Sequence, residues 1–210
     1  QFESYNGESL RLRYVLTVTV HLESRPLVAT TEFAVVLPRP DPPPAPFSNM
    51  VCVDDMLYID FRLNKTAYAL TDTLLGSVFV RIIRTHITKV VLKLVRKEHT
   101  ATPPATTTTT LTTLQIEDGK VSKGDTIPIR VFLRRLPLTP TLTDAPALFT
   151  VEYAVALVFV DDKQQTYETT ADLRLYRPAS PRPASDTPMR PPTDVTDLTR
   201  LRDPFESTLP

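Results

Sequence analysis

Over Arg11–Val20 the chain reads Arg-Leu-Arg-Tyr-Val-Leu-Thr-Val-Thr-Val, and apolar residues return at every second position. Leu12, Tyr14, Leu16, Val18 and Val20 fall on one side of an extended chain, and Arg11, Arg13, Thr17 and Thr19 on the other. Side chains of a strand alternate between faces, so this period predicts a strand that buries one face and wets the other. Short alternating segments of this kind recur from Leu12 to Tyr176, with almost no helical period between them. Such a chain is confined to a β-sandwich or a barrel, folds that more often present surfaces and edges than catalytic clefts.

Two strands are predicted at 10–22 and about 28–37, an antiparallel pair joined by Glu23–Pro26, with Ala29, Thr31, Phe33, Val35 and Leu37 sharing a face. A strand pair cannot stand alone as a domain. The chain opens at Gln1 without an initiator Met, so it is expected to be a fragment whose preceding part completes that unit. From Pro38 to Pro46 prolines crowd together. Such a run favours polyproline II and acts as a semi-rigid spacer. We therefore place a linker at 39–49; the alternative is a long surface loop within one domain.

Residues 50–178 supply about eight further strands: Met56–Leu63, Ala67–Ala69, Leu75–Ile83, Ile87–Lys97, Leu111–Ile116, Thr126–Leu133, Phe149–Asp161 and Gln165–Arg177. That is enough for one complete sandwich. The exposed lysines of Ile87–Lys97 are expected to guard a sheet edge, and Thr100–Thr110 to form an elaborated hairpin loop, with part of the threonine run ordered by its strand propensity. Residues 179–210 are rich in proline, serine, threonine and charge, a composition that predicts disorder.

The formal net charge is +0, which points away from nucleic acid and from an anionic membrane surface as the main partner. A single cysteine, Cys52, forbids an internal disulfide and fits a reducing compartment, most simply the cytosol. Its neighbours Val51 and Val53 predict a small core residue. His21, His86 and His99 show no metal-ligand spacing, and Asp54-Asp55 and Asp161-Asp162 are adjacent pairs whose carboxylates point apart on a strand. No nucleophile elbow or glycine-rich phosphate loop is present. No cofactor, metal or catalytic activity is expected.

Several segments in register carry a family likeness. They are Ser4-Tyr5-Asn6-Gly7-Glu8-Ser9-Leu10-Arg11-Leu12-Arg13-Tyr14, then Val53-Asp54-Asp55-Met56-Leu57-Tyr58-Ile59-Asp60-Phe61 with Asn64-Lys65 and Tyr68. Ile116-Glu117-Asp118-Gly119, Lys123-Gly124, Ile127–Leu133 and Leu138–Asp144 complete the set. Over about residues 2–177 the chain resembles the vacuolar protein sorting-associated protein 26 family, the arrestin-like subunit of retromer. The resemblance implies an all-β arrestin-like fold of two sandwiches: 1–38 would hold the last strands of the N-terminal sandwich and 50–178 the whole C-terminal one. It implies a non-catalytic coat subunit in cytoplasm, peripheral to the endosomal membrane. Its partners would be the retromer solenoid subunit (vacuolar protein sorting-associated protein 35), sorting nexins and cargo tails, for retrograde transport from endosomes to the Golgi or plasma membrane.

Carried onto this chain, the solenoid-docking loop falls on Ile116, Glu117, Asp118 and Gly119. Ile116 at a turn would offer an exposed apolar knob beside a tight glycine bend; the alternative is a plain hairpin turn with Ile116 buried. The family usually has methionine where Glu117 stands, and a charge there weakens an apolar contact unless the partner supplies a cation. Sorting-nexin or cargo contacts fall on Leu37, Asp54, Tyr58 and Phe61. The family lacks the proline run that follows Leu37, which instead can simply end a strand. The strand Asp54–Phe61 lies where a cargo peptide can add as an extra strand, or is an ordinary interior strand. Two other readings are the retriever-complex paralogue and an arrestin-domain ubiquitin-ligase adaptor. The second is disfavoured because the tail carries Pro191-Pro192-Thr193-Asp194 rather than a Pro-Pro-x-Tyr motif. A secreted structural sandwich is disfavoured by the lone cysteine.

Overall fold

A computed structural model describes residues 2–179 apart from 23–24, 41, 44, 54–55 and 144–147. The strands are β1 (Tyr5–Asn6), β2 (Arg11–Leu12), β3 (Tyr14–His21), β4 (Pro26–Phe33), β5 (Phe47–Val53), β6 (Leu57–Leu63) and β7 (Ala67–Ala69). There follow β8 (Thr73–Ile83), β9 (Ile87–Ala101), β10 (Pro104–Asp118), β11 (Thr126–Phe132), β12 (Phe149–Asp161) and β13 (Thr166–Tyr176), with a 3-10 turn at Leu133–Arg135. The tail assigned to 179–210 lies, from residue 180 on, outside the described residues. Among the described residues no helix is long and apolar enough to cross a membrane.

β5 to β13 build two stacked sheets. One runs β10-β9-β12-β13-β7 and the other β11-β8-β6-β5. All pairings within them are antiparallel except β13 with β7. The period-two pattern decides which residues meet between the layers. Leu57, Ile59, Phe61 and Leu63 of β6 and Ile127, Ile129 and Val131 of β11 face Leu92 and Leu94 of β9 and Val151, Tyr153, Val155, Leu157 and Phe159 of β12 in one core. This is an all-β sandwich, the architecture the alternation predicts.

Four details depart from the sequence expectations. First, the ribbon β3–β4 forms as the expected antiparallel pair, with Tyr14 opposite Phe33 and Val20 opposite Leu27. It does not bury a face. Leu16 is 53% exposed and Val18 50%, and Val15 on the other face is 46% exposed. Alternation prepares a face for burial, but only a second layer can bury it, and no described layer packs on this ribbon.

Second, the threonine run is no loop. β9 and β10 are both 15 residues long and pair from Ala101 opposite Pro104 through Thr106 opposite His99 to Asp118 opposite Lys89. β-Branched threonine suits a pleated strand, and here its partner strand is already fixed by the core. His99 therefore sits in a strand, its Nδ1 2.8 Å from Thr106 Oγ1. Third, β9 is interior, so its lysines guard no edge; β10 is the edge. Fourth, Phe47–Val53, partly inside the expected linker, is the edge strand β5, and its Cys52 is exposed rather than in the core. The register explains this. Val51 pairs with the inward Ile59, so Cys52 shares the outward face with Tyr58.

Candidate functional site

β9 connects the two ends of the sandwich. At ~3.3 Å per residue, Lys89 and Glu98 on it stand roughly 30 Å apart. Near Lys89 the connecting turns gather into a tip, and near Glu98 the N-terminal segment docks to form a junction.

At the tip, β10 ends in Ile116-Glu117-Asp118. Gln115 pairs with Val91 and Glu117 with Val90, so Ile116 is the extra residue of a β-bulge. It is half-buried against the core and lies on the strand, not on a turn. The expected exposed knob is thus corrected: the bulge tucks much of the side chain onto the sandwich. The chain bends after Asp118. Gly119 has φ 142°, a left-handed conformation that favours glycine, and its N–H donates to Thr88 O at 3.2 Å. Asp118 and Gly119 are exposed and Glu117 half-buried. These four residues remain one continuous feature at the end of a sheet edge.

The turn Arg84–His86 and the loop 119–125 stand beside it. Arg84 N donates to Met56 O at 2.7 Å, Asp162 N to His86 O at 3.0 Å, and Gly124 N to Val80 O at 2.8 Å. Together these segments border a cleft of about 380 Å³ lined by Ile83, Arg84, His86, Lys120, Val121 and Lys123. Asp161 pins the neighbouring β12–β13 turn. Its carboxylate accepts from Gln165 N at 2.7 Å, Lys163 N at 2.9 Å and Tyr167 O–H at 3.2 Å. Burial pushes its pKa up, but these bonds win and hold it below the usual carboxylate range.

At the junction, Glu98 points into the core register of β9, two residues beyond Arg96 and four beyond Leu94. It has no exposed surface. Its Oε1 accepts from Tyr5 O–H at 2.5 Å and Glu8 N at 3.1 Å; Oε2 accepts from Ser9 N at 2.8 Å and Ser9 O–H at 2.5 Å. Arg96 Nε lies 3.0 Å from Oε1 and balances the charge, without an N–H aligned for a hydrogen bond. Burial alone would raise the Glu98 pKa; the bonds from Ser9, Tyr5 and Glu8 reverse that and hold it at about 2. Burial and the bond to Glu98 push the Tyr5 phenol up. Gly7 fits because a Cβ there would overlap both the Glu98 carboxylate and the Tyr5 ring. A second ion pair closes the junction: Arg177 donates to Glu3 Oε1 at 2.6 and 3.1 Å, with Glu3 only 4% exposed.

The other expected partner residues do not form one surface. Leu37 is half-buried at the junction, where its N–H donates to Glu3 Oε2 at 3.3 Å. Tyr58 is half-buried at the tip end of β6. Phe61 has no exposed area, and its ring packs edge-on against Phe47 at 5.5 Å. β6 lies between β5 and β8, so it is the interior strand of the two alternatives and offers no free edge to an added peptide. Asp54 lies outside the described residues. The junction groups Glu3, Tyr5, Ser9, Arg96, Glu98 and Arg177 were not anticipated. One signal was available: Arg96 and Glu98 are charges at the inward positions of an otherwise apolar β9 face.

The family model described as Vacuolar protein sorting-associated protein 26 matches residues 1–164. The Vacuolar protein sorting-associated protein 26 of Schizosaccharomyces pombe is 31% identical over 179 residues, covering 84% of this chain and 60% of that protein. The Drosophila melanogaster protein of the same name is 34% identical over 182 residues, 85% of this chain and 38% of that one. Vacuolar protein sorting-associated protein 26B of Arabidopsis thaliana is 34% identical over 185 residues, 84% and 59%. The chain thus spans 38% to 60% of the length of these curated relatives. Among solved structures, the sporulation control protein Spo0M of Bacillus subtilis aligns over 56% of this chain and 48% of its own at a TM-score of 0.45 and 18% identity, a likeness too slight to add to the assignment.

Proposed function

Because the chain belongs to the vacuolar protein sorting-associated protein 26 family, we propose that it is a non-catalytic subunit of a protein-sorting coat of the retromer type, acting at the cytosolic face of endosomes. In this reading the tip docks on the helical solenoid subunit, vacuolar protein sorting-associated protein 35. Sorting nexins and cargo tails engage the protein elsewhere, with Leu37 at the junction as one contact. The observation that carries the docking role is the end of β10. A bulged edge strand presents Glu117, Asp118 and Gly119 outside the sandwich, while Ile116 anchors them to its core. A loop held this way is preorganised, so little of the binding energy is spent ordering it.

The reading is tested by substituting a residue that the core does not use. Asp118→Lys is expected to weaken binding of the purified solenoid subunit at least about tenfold, with thermal unfolding unchanged, because Asp118 is exposed. Unaltered affinity in isothermal titration removes this loop from the interface.

A further inference from the structure

The cleft at the tip has a chemistry that the docking loop does not explain. Arg84 and His86 on one wall and Lys120 and Lys123 on the other are all exposed, and among the described residues none has an acidic side-chain partner. Several cations elsewhere on the chain are ion-paired, among them Arg81 with Asp60 at 2.6 Å, Arg177 with Glu3 at 2.6 Å and Lys65 with Asp72 at 3.0 Å. Two carboxylates nearby are engaged within their own turns. Asp125 accepts from Ser122 N at 2.7 Å, and Asp161 is taken up by its own turn. The floor is apolar, with Ile83 half-buried and Val121 4% exposed.

We propose that this cleft seats an acidic protein segment, whose carboxylates pair with Arg84, Lys120 and Lys123. The proposal rests on the tip being a protein-docking face. A short chain with successive carboxylates can reach both walls, and a guanidinium takes a carboxylate in a two-pronged bond. An anionic membrane is the poorer occupant. It reads charge averaged over ~8–10 Å, the screening length in physiological salt. Within that distance Asp118, Asp125 and Asp162 offset the cations, and loop 119–125 offers no exposed large apolar side chain to insert. A peptide instead meets the cations one by one.

The test uses the full chain and a fluorescent decaglutamate peptide as the probe. Anisotropy is expected to show binding at about 50 mM salt that falls at least about tenfold by about 500 mM. Lys120→Glu combined with Lys123→Glu is expected to weaken it at least about tenfold, while Arg174→Glu, exposed on β13 toward the junction end, leaves it unchanged. Binding that is independent of salt, or that these variants affect equally, overturns the proposal. So does capture of phosphatidylserine vesicles, sensitive to the lysine pair, without capture of the peptide. The outcome is separable from the docking reading. If Asp118→Lys leaves the solenoid subunit bound, the loop assignment fails whatever the peptide does. If the peptide is ignored while Asp118→Lys releases the solenoid, only the cleft proposal fails.

Discussion

Glu98 concentrates the energetics of the junction in one side chain. A carboxylate taken fully out of water is costly unless every oxygen is satisfied, and here four donors and the Arg96 charge satisfy it. All four donors come from Tyr5, Glu8 and Ser9, more than eighty residues away in sequence. Removing the acid strands Arg96 and all of them together. Glu98→Ala is therefore expected to cost about 3–5 kcal/mol in urea unfolding, the range for breaking a buried ion pair. Tyr5→Phe removes a single bond to a charged acceptor and is expected to cost about 1.5–3 kcal/mol. A cost for Glu98→Ala no larger than that for Tyr5→Phe would mean that the network is not cooperative.

At the scale of elements, the two sheets and the ribbon differ in what protects them. β9 and β12 are flanked by strands on both sides and covered by the facing sheet. Among the described residues β3 and β4 pair only with one another, and they are exposed along their length. A lone two-stranded ribbon is marginal in water. Amides of β3 and β4 are expected to exchange hydrogen at least about a hundredfold faster than those of β9 and β12, a gap of more than ~2.7 kcal/mol in opening free energy. Equal protection in hydrogen exchange would show that something covers the ribbon. The same contrast holds for mutation. Val18→Thr is expected to move stability by less than about 0.5 kcal/mol, whereas Leu92→Ala should cost about 2–5. The edges also carry protection of their own: β11 has Pro128, which cannot donate to a further strand, and β10 ends in a bulge.

For the whole molecule, acid should act through the carboxylates that the fold holds ionised. Glu98 sits at about 2 against an ordinary 4.5. Asp60, held by two bonds from Arg81, and Asp161, held by its turn, also lie below their usual values. A depressed carboxylate stabilises the folded state fully above its unfolded pKa and loses that contribution as pH falls toward the folded value. Stability is thus expected to be flat in this respect above about pH 4.5 and to decline between there and pH 2, with Glu98 alone contributing on the order of 3 kcal/mol. Urea midpoints measured from pH 7 to pH 3 test it. A midpoint that does not fall below pH 4.5 would show these groups to be unpaired in solution.

The alternation of side chains determined, without any structure, that the chain is all β, and the same period in Leu57–Leu63 and Val151–Phe159 places Leu57, Ile59, Phe61 and Leu63, and Val151, Tyr153, Val155, Leu157 and Phe159, on the faces that the core buries. That information is local: a period of two states which residues share a face, and a core needs only that face. The motifs at Ser4–Tyr14 and Ile116–Gly119 were legible as family features for the same reason, being short and contiguous. What tertiary structure alone decided was the neighbour of each strand. Whether Thr106–Thr110 is loop or strand depends on β9 lying beside it; whether Phe61 can meet a partner depends on β5 and β8 flanking β6. The face of β3 stays wet because no described layer stacks upon it, and Glu98 is tolerable only because Tyr5 and Ser9 arrive from the far end of the sequence. Burial and pairing are properties of two segments at once, and no single segment carries a record of the other.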